Sequence, residues 1–312
     1  MWGSNGSLCK ALAVMNSIYR PFIVSLLLLA SIAANAADKL SVYAVNYPLA
    51  YFAQRIGGDH INTVFPLPAD IDPAFWEPEV EDIAGFQQAD LILLNGAGYA
   101  KWLKRVSLPR RKLVNTSAAF QHDYISVNET VTHQHGPGGD HTHAGTAFTT
   151  WLDFNQASMQ AKAILLALEK ARPDHADDFR QNFASLETEL AELDKTMKNI
   201  VSGDSDKLLI ASHPVYQYLV RRYHIKLKSL MWEPDSVPDN NQWLALQQLL
   251  NSHDASWMIW EGEPDAQSVA RLQASGISSL VFVPGANVPQ QGDFMTIMKR
   301  NLSEIAKAYR LQ

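Results

Sequence analysis

The chain has 312 residues, a formal net charge of −6 and 47% hydrophobic residues. That length buries a sizeable core and suits two domains or lobes, and the composition is that of a globular protein. An acidic balance without any Lys/Arg stripe excludes a nucleic-acid partner.

The first feature in chain order reads as an export signal. Arg20 precedes the apolar run Phe22–Ala30, and Ala34-Asn35-Ala36 supplies the small residues of a cleavage site. Met15 gives a signal of more usual length than Met1 does. An uncleaved anchor is the competing reading. Removal of residues 1–36 takes away Lys10, Arg20 and no acid, so the charge moves from −6 to −8. It also removes Cys9, the sole cysteine, which excludes disulfides and thiolate ligands from the rest. The expected destination is a bacterial periplasm.

From Ala37 onward short apolar runs alternate with amphipathic ones. Strands are predicted at Leu40–Asn46, Thr63–Leu67, Leu91–Asn95, Lys112–Asn115, Lys207–Ala211, Leu227–Trp232, Ser256–Glu261 and Ser279–Val283. Helices are predicted at Leu49–Ile56, Val80–Gln88, Tyr99–Val106, Pro214–Tyr223, Gln242–Leu250, Ala266–Ala274 and Phe294–Tyr309. Such alternation predicts parallel α/β layers. Phe179, Phe183, Leu186, Leu190, Leu193, Met197 and Ile200 recur at helical spacing, marking one long helix between the two groups of strands. The expected organisation is a signal peptide over 1–36, an N-terminal α/β lobe over 37–173, a linking helix over 174–201 and a C-terminal α/β lobe over 202–312.

Two features carry metal chemistry. His133, His135, His141 and His143 form two His-x-His pairs around a Gly/Pro spacer, with no apolar periodicity to call for burial. Neutral imidazole suits zinc, and the spacer can turn both pairs towards one ion. A polar surface loop is the plainer reading. Strand ends in open α/β sheets gather ligands, and they present Asp70–Pro78, His213, Glu261 and Pro284–Asn287. His213 follows an apolar strand and precedes Pro214, so it faces a cleft, or else caps or fills a core. Glu261 is a carboxylate ligand, or an acid that satisfies neighbouring amides. Trp76 and Trp260 are expected to pack in the cleft; His122, His175, His224 and His253 read as surface residues. His-Glu-x-x-His, Gly-x-Ser-x-Gly, P-loop and Gly-x-Gly-x-x-Gly signatures are all missing. Asn95-Gly96-Ala97-Gly98 resembles the last only superficially.

Several phrases together resemble the zinc/manganese-type solute-binding proteins of bacterial ABC importers. They are Asp72-Pro73-Ala74-Phe75-Trp76-Glu77-Pro78, Ala89–Tyr99, Thr150-Trp151-Leu152-Asp153, Ser212–Leu219 and Gly292–Asn301. The resemblance implies two α/β lobes joined by one long rigid helix, a metal site in the cleft between them, and a His-rich loop in the zinc branch. It also implies a non-enzymatic monomer in the periplasm that carries Zn2+, with Mn2+ the lesser alternative, to an ABC permease membrane subunit. Of the four ligand positions it implies, only His213 matches. Ala74 and Thr149 stand at two others, and no carboxylate occurs around Pro284. Either the loop histidines complete a rebuilt site with His213 and with Glu261 or Glu77, or the cleft has lost its metal and the protein is a loop-based zinc buffer. A zinc-dependent hydrolase is a further alternative.

Overall fold

The computed structural model describes residues 39–69, 71–127, 132–134, 140–142 and 145–309, with only the backbone described over 132–134 and 140–142. The expected export signal, Asp70, His135 and His143 lie outside the described residues.

The first half runs β1 (Leu40–Ala44), α1 (Tyr47–Gly57), β2 (Ile61–Val64), α2 (Val80–Gln88), β3 (Leu91–Leu94) and β4 (Leu113–Asn115). Two short antiparallel ribbons follow, β5 (Ser126–Val127) with β8 (Gly145–Thr146), and β6 (Thr132–Gln134) with β7 (Asp140–Thr142). Helices α3 (Phe154–Ala171) and α4 (Ala176–Ser202) lead to the second half: β9 (Leu208–Ala211), α5 (Gln217–Tyr223), β10 (Lys226–Ser229), α6 (Asn240–Leu250), β11 (Trp257–Trp260), α7 (Ala266–Ala274), β12 (Ser278–Val281) and α8 (Phe294–Tyr309).

The strands form two parallel four-stranded sheets of the same winding, ordered β2-β1-β3-β4 and β10-β9-β11-β12. Each is the centre of one α/β lobe. In this order the crossovers turn opposite ways on either side of β1 and β3, and of β9 and β11. A crevice therefore opens at the carboxyl ends of each pair.

Helix α4, 27 residues long, joins the lobes. Phe179, Phe183, Leu186, Leu190, Leu193 and Met197 are buried along one face, each contributing about 1.5–3 kcal/mol relative to exposure. Polar ties fix the helix at both ends. Asn182 donates to the Ile56 carbonyl at 3.0 Å, and Arg55 pairs with Glu189. Asp194 accepts from Arg222 at 2.9 Å and from the Tyr223 hydroxyl at 3.0 Å. A helix held to each lobe in this way acts as a strut.

Several expected elements differ. The run Tyr99–Val106 makes only the 3-10 turn Lys101–Lys104, because Gly96, Ala97 and Gly98 all take positive φ just before it and Pro109 closes the segment soon after. The fifth helix begins at Gln217, three residues beyond Pro214. Helix α3 escaped prediction, although Asp153 caps it by accepting from the Asn155 and Gln156 N–H groups at 3.0 and 3.2 Å. Trp76 and Trp260 pack in the lobe cores, not in the cleft: Trp76 against Phe86 and Trp102, Trp260 against Trp232. His253 is buried too, donating a ring N–H to the Leu209 carbonyl at 2.9 Å.

Candidate metal centre

The crevice of the second lobe gathers a cluster of donors. His213 lies two residues beyond β9, Glu261 directly follows β11, and Glu233 lies four residues beyond β10, next to β9 in the sheet. The backbone sets this arrangement. Ser212 donates its N–H to Ile259 at 2.8 Å, and Trp232 donates to the Ser212 carbonyl at 2.8 Å. These bonds continue the pairing past the strand ends and bring residues 213, 233 and 261 side by side.

His213 is 1% exposed, and its Nδ1 lies 3.7 Å from Oε1 of Glu233 and 3.7 Å from Oε1 of Glu261. All three donor atoms lie within 4.8 Å of one another. Donors on a tetrahedral zinc with bonds of about 2.0–2.1 Å stand about 3.3 Å apart, so a small contraction suits the set to an ion. One imidazole and two carboxylates also balance the charge of a dication.

The cluster opens on an interlobe cavity of about 740 Å³ whose lining includes Asp72, Phe75, Tyr99 and Thr149 from the first lobe. Burial pushes the Tyr99 phenol well above its ordinary pKa, with the charge of Asp72 adding to the effect. Tyr216 is raised in the same way by burial and by Glu261, and its hydroxyl donates to the Phe282 carbonyl at 2.7 Å. Both phenols therefore act as donors at neutral pH.

The first lobe faces this cavity with few ligand atoms. Ala74 is 1% exposed and carries no donor. The Thr149 hydroxyl donates to the Val215 carbonyl at 2.6 Å, and one Asp72 oxygen accepts from the Ala74 N–H at 2.8 Å. Around Pro284 the lobes meet through a backbone carbonyl, which accepts from the Trp151 indole at 2.8 Å. The crevice between β1 and β3 is filled by carboxamides. Asn95 accepts from Asn46 at 3.1 Å and from Gln160 at 3.2 Å, all three buried.

Of the residues singled out from sequence, His213 and Glu261 come together. Glu77 does not join them: it is exposed and pairs with Arg105 at 2.6 Å. His133 and His141 are register partners in the β6–β7 ribbon, whose side chains lie outside the description, as do His135 and His143 altogether. Glu233 went unnoticed, although it directly follows the predicted strand Leu227–Trp232 and obeys the same strand-end rule that selects His213 and Glu261.

A second group among the described residues is His60, His175 and Asp178. The two imidazoles stack with centroids 3.7 Å apart and planes 17° from parallel, and Arg172 lies 2.9 Å from His175 Nε2. An ion bound by imidazole lies in the ring plane, and stacked rings share no such position. This group reads as a surface stack with an ion pair from His60 to Asp178 at 2.9 Å.

Comparison with known proteins agrees with this architecture. The family described as ZnuA, zinc-uptake complex component A periplasmic, matches residues 42–308. The high-affinity zinc uptake system protein ZnuA of Bacillus subtilis (strain 168) is 27% identical over 283 residues, covering 88% of each chain. The zinc-binding protein AdcA of Streptococcus pyogenes serotype M3 is 24% identical over 290 residues and 86% of this chain. The alignment spans only 56% of AdcA's own length. The crystal structure of the Zn(II)-bound ZnuA-like domain of Streptococcus pneumoniae AdcA superposes with a TM-score of 0.73 at 19% identity, covering 87% of this chain and 99% of that domain. With a family match running through both lobes and the strut between them, the chain belongs to the ZnuA family of periplasmic zinc-uptake components.

Proposed function

We propose that the protein captures Zn2+ in the periplasm and delivers it to an ABC-type metal permease, with no catalysis of its own. The His213–Glu233–Glu261 cluster, opening on an interlobe cavity, is the observation that carries this reading. Residues 1–36 serve as the export signal. His133, His135, His141 and His143 collect the ion and pass it inward. Their insert leaves and re-enters through β5 and β8, whose residues Val127, Gly145 and Thr146 border a smaller cavity shared with Thr149 and Val215. Resemblance to ZnuA and AdcA relatives supports zinc as cargo and a permease as partner.

Zinc titration calorimetry on the wild type, a 128–144 deletion and His213→Ala tests the assignment. The deletion should keep one tight site, and His213→Ala should lose it. A deletion that abolishes tight binding while His213→Ala retains it would move the site to the insert. A zinc buffer without a transport partner is the second reading, favoured by Ala74 and Thr149 in place of imidazoles. Zinc-stimulated ATPase activity of the reconstituted permease separates the two.

A further inference from the structure

Resting on the reading of the cleft as a zinc site, we infer that the ion is carried as a complex with one small amino-acid chelator of the free-histidine type. The three protein donors come from a single lobe and approach the ion from one side. Zinc takes four or five donors, so at least one coordination position faces the first lobe. There Ala74 offers none, Thr149 spends its hydroxyl on Val215, and Phe75 and Phe148 line the wall.

The space fits a molecule and not an ion alone. A cavity of about 740 Å³ lies within the range of small-molecule sites, about 300–1,000 Å³, whereas a single water in the liquid occupies about 30 Å³. Its polar groups are placed for a chelator's own functional groups. Tyr99 lines the cavity, is 1% exposed, and its hydroxyl makes no hydrogen bond among the described residues. Kept protonated by burial, it can donate to a carboxylate. Arg300, from α8, brings the only basic side chain among the described lining residues, and guanidinium pairs well with carboxylate.

Charge selects the kind of chelator. Glu233 and Glu261 already neutralise a dication, and Asp72 and Glu263 add negative charge to the lining. A polyanion such as citrate meets repulsion here. An amino acid that chelates through amine and imidazole carries a single carboxylate, which Tyr99 and Arg300 can receive.

Native mass spectrometry with zinc titration of the purified protein tests this, using zinc chloride alone, with equimolar L-histidine, or with citrate. The expected result is a 1:1:1 protein–zinc–histidine adduct, apparent affinity raised at least about tenfold by histidine, and simple competition by citrate. In Tyr99→Phe and Arg300→Gln the ratio of affinities with and without histidine should fall towards one. Zinc bound without an adduct, with histidine merely competing, overturns the inference and leaves the zinc-carrier reading intact. A ternary adduct with citrate and none with histidine overturns it too. Absence of zinc binding in all three conditions removes the zinc-carrier reading itself, and this inference with it.

Discussion

The Trp151 indole N–H donates to the Pro284 carbonyl at 2.8 Å, so the two lobes are tied together where the family resemblance implies a carboxylate ligand. Around it Thr149 bonds Val215, Tyr47 donates to Ala286 at 2.9 Å, and Asn287 donates to Pro68 and Ile71 at 2.8 and 2.7 Å. With every described member of the donor cluster in the second lobe, these bonds, and not an ion, hold the cleft shut. Scattering curves of the metal-free and zinc-loaded protein should therefore superpose. Trp151→Phe should cost about 1 kcal/mol in urea unfolding, the worth of one hydrogen bond. A marked contraction on zinc loading would show that the ion itself draws the lobes together.

Each donor should be individually necessary. Glu233→Gln removes one charged oxygen while keeping shape, and should weaken zinc binding on the order of 10–100-fold. Glu77→Gln, at an exposed pair with Arg105, should change it less than twofold. Competition titration against a fluorescent zinc chelator reads both.

Thr149→His puts an imidazole on the cavity wall opposite His213. It forfeits the bond to Val215, at about 1 kcal/mol, and supplies a fourth donor. Zinc affinity should rise at least about tenfold while the thermal midpoint of the metal-free protein falls. Unchanged affinity would mean that position 149 does not face the ion.

Binding should weaken as pH falls below about 6.5, the ordinary imidazole pKa, because a proton on His213 competes with the metal. Equal titration curves at pH 7.5 and 5.5 would argue against imidazole coordination.

Stability has its own acid limit in Asp194. Burial pulls this carboxyl upward, but bonds from Arg222, Lys198 and Tyr223 outweigh it and hold the group below the ordinary carboxylate value. A carboxyl whose folded pKa is depressed stabilises the fold fully above its unfolded value, about 3.9, and loses that contribution as pH falls through the folded value. Asp194→Asn should destabilise the protein at pH 7 by about 1–3 kcal/mol, with the deficit shrinking below pH 4. A constant deficit from pH 7 to pH 3 would assign the loss to packing.

Much of the architecture was legible because it rests on periodicity. The stripe from Phe179 to Met197 marks the strut, and the alternation of runs marks two parallel sheets. Half the site was legible as well, since His213 and Glu261 stand where apolar strands end. Glu233 was harder to see because β10 carries Lys226 and Lys228 and looks weakly apolar, so its end drew little notice. Helix α3 was missed because Gln156 and Gln160 read as polar breaks, whereas both are buried, Gln160 in the carboxamide network of the first lobe. His253 and Trp260 were misplaced because burial through one tertiary bond or one ring contact leaves no trace in local pattern.

A crystal grown with zinc and measured at the zinc absorption edge tests the central claim most directly. The expected result is one strong anomalous peak about 2.0–2.2 Å from His213 Nδ1 and from one oxygen of each of Glu233 and Glu261. A peak seated elsewhere, with these three side chains left without metal, would contradict it.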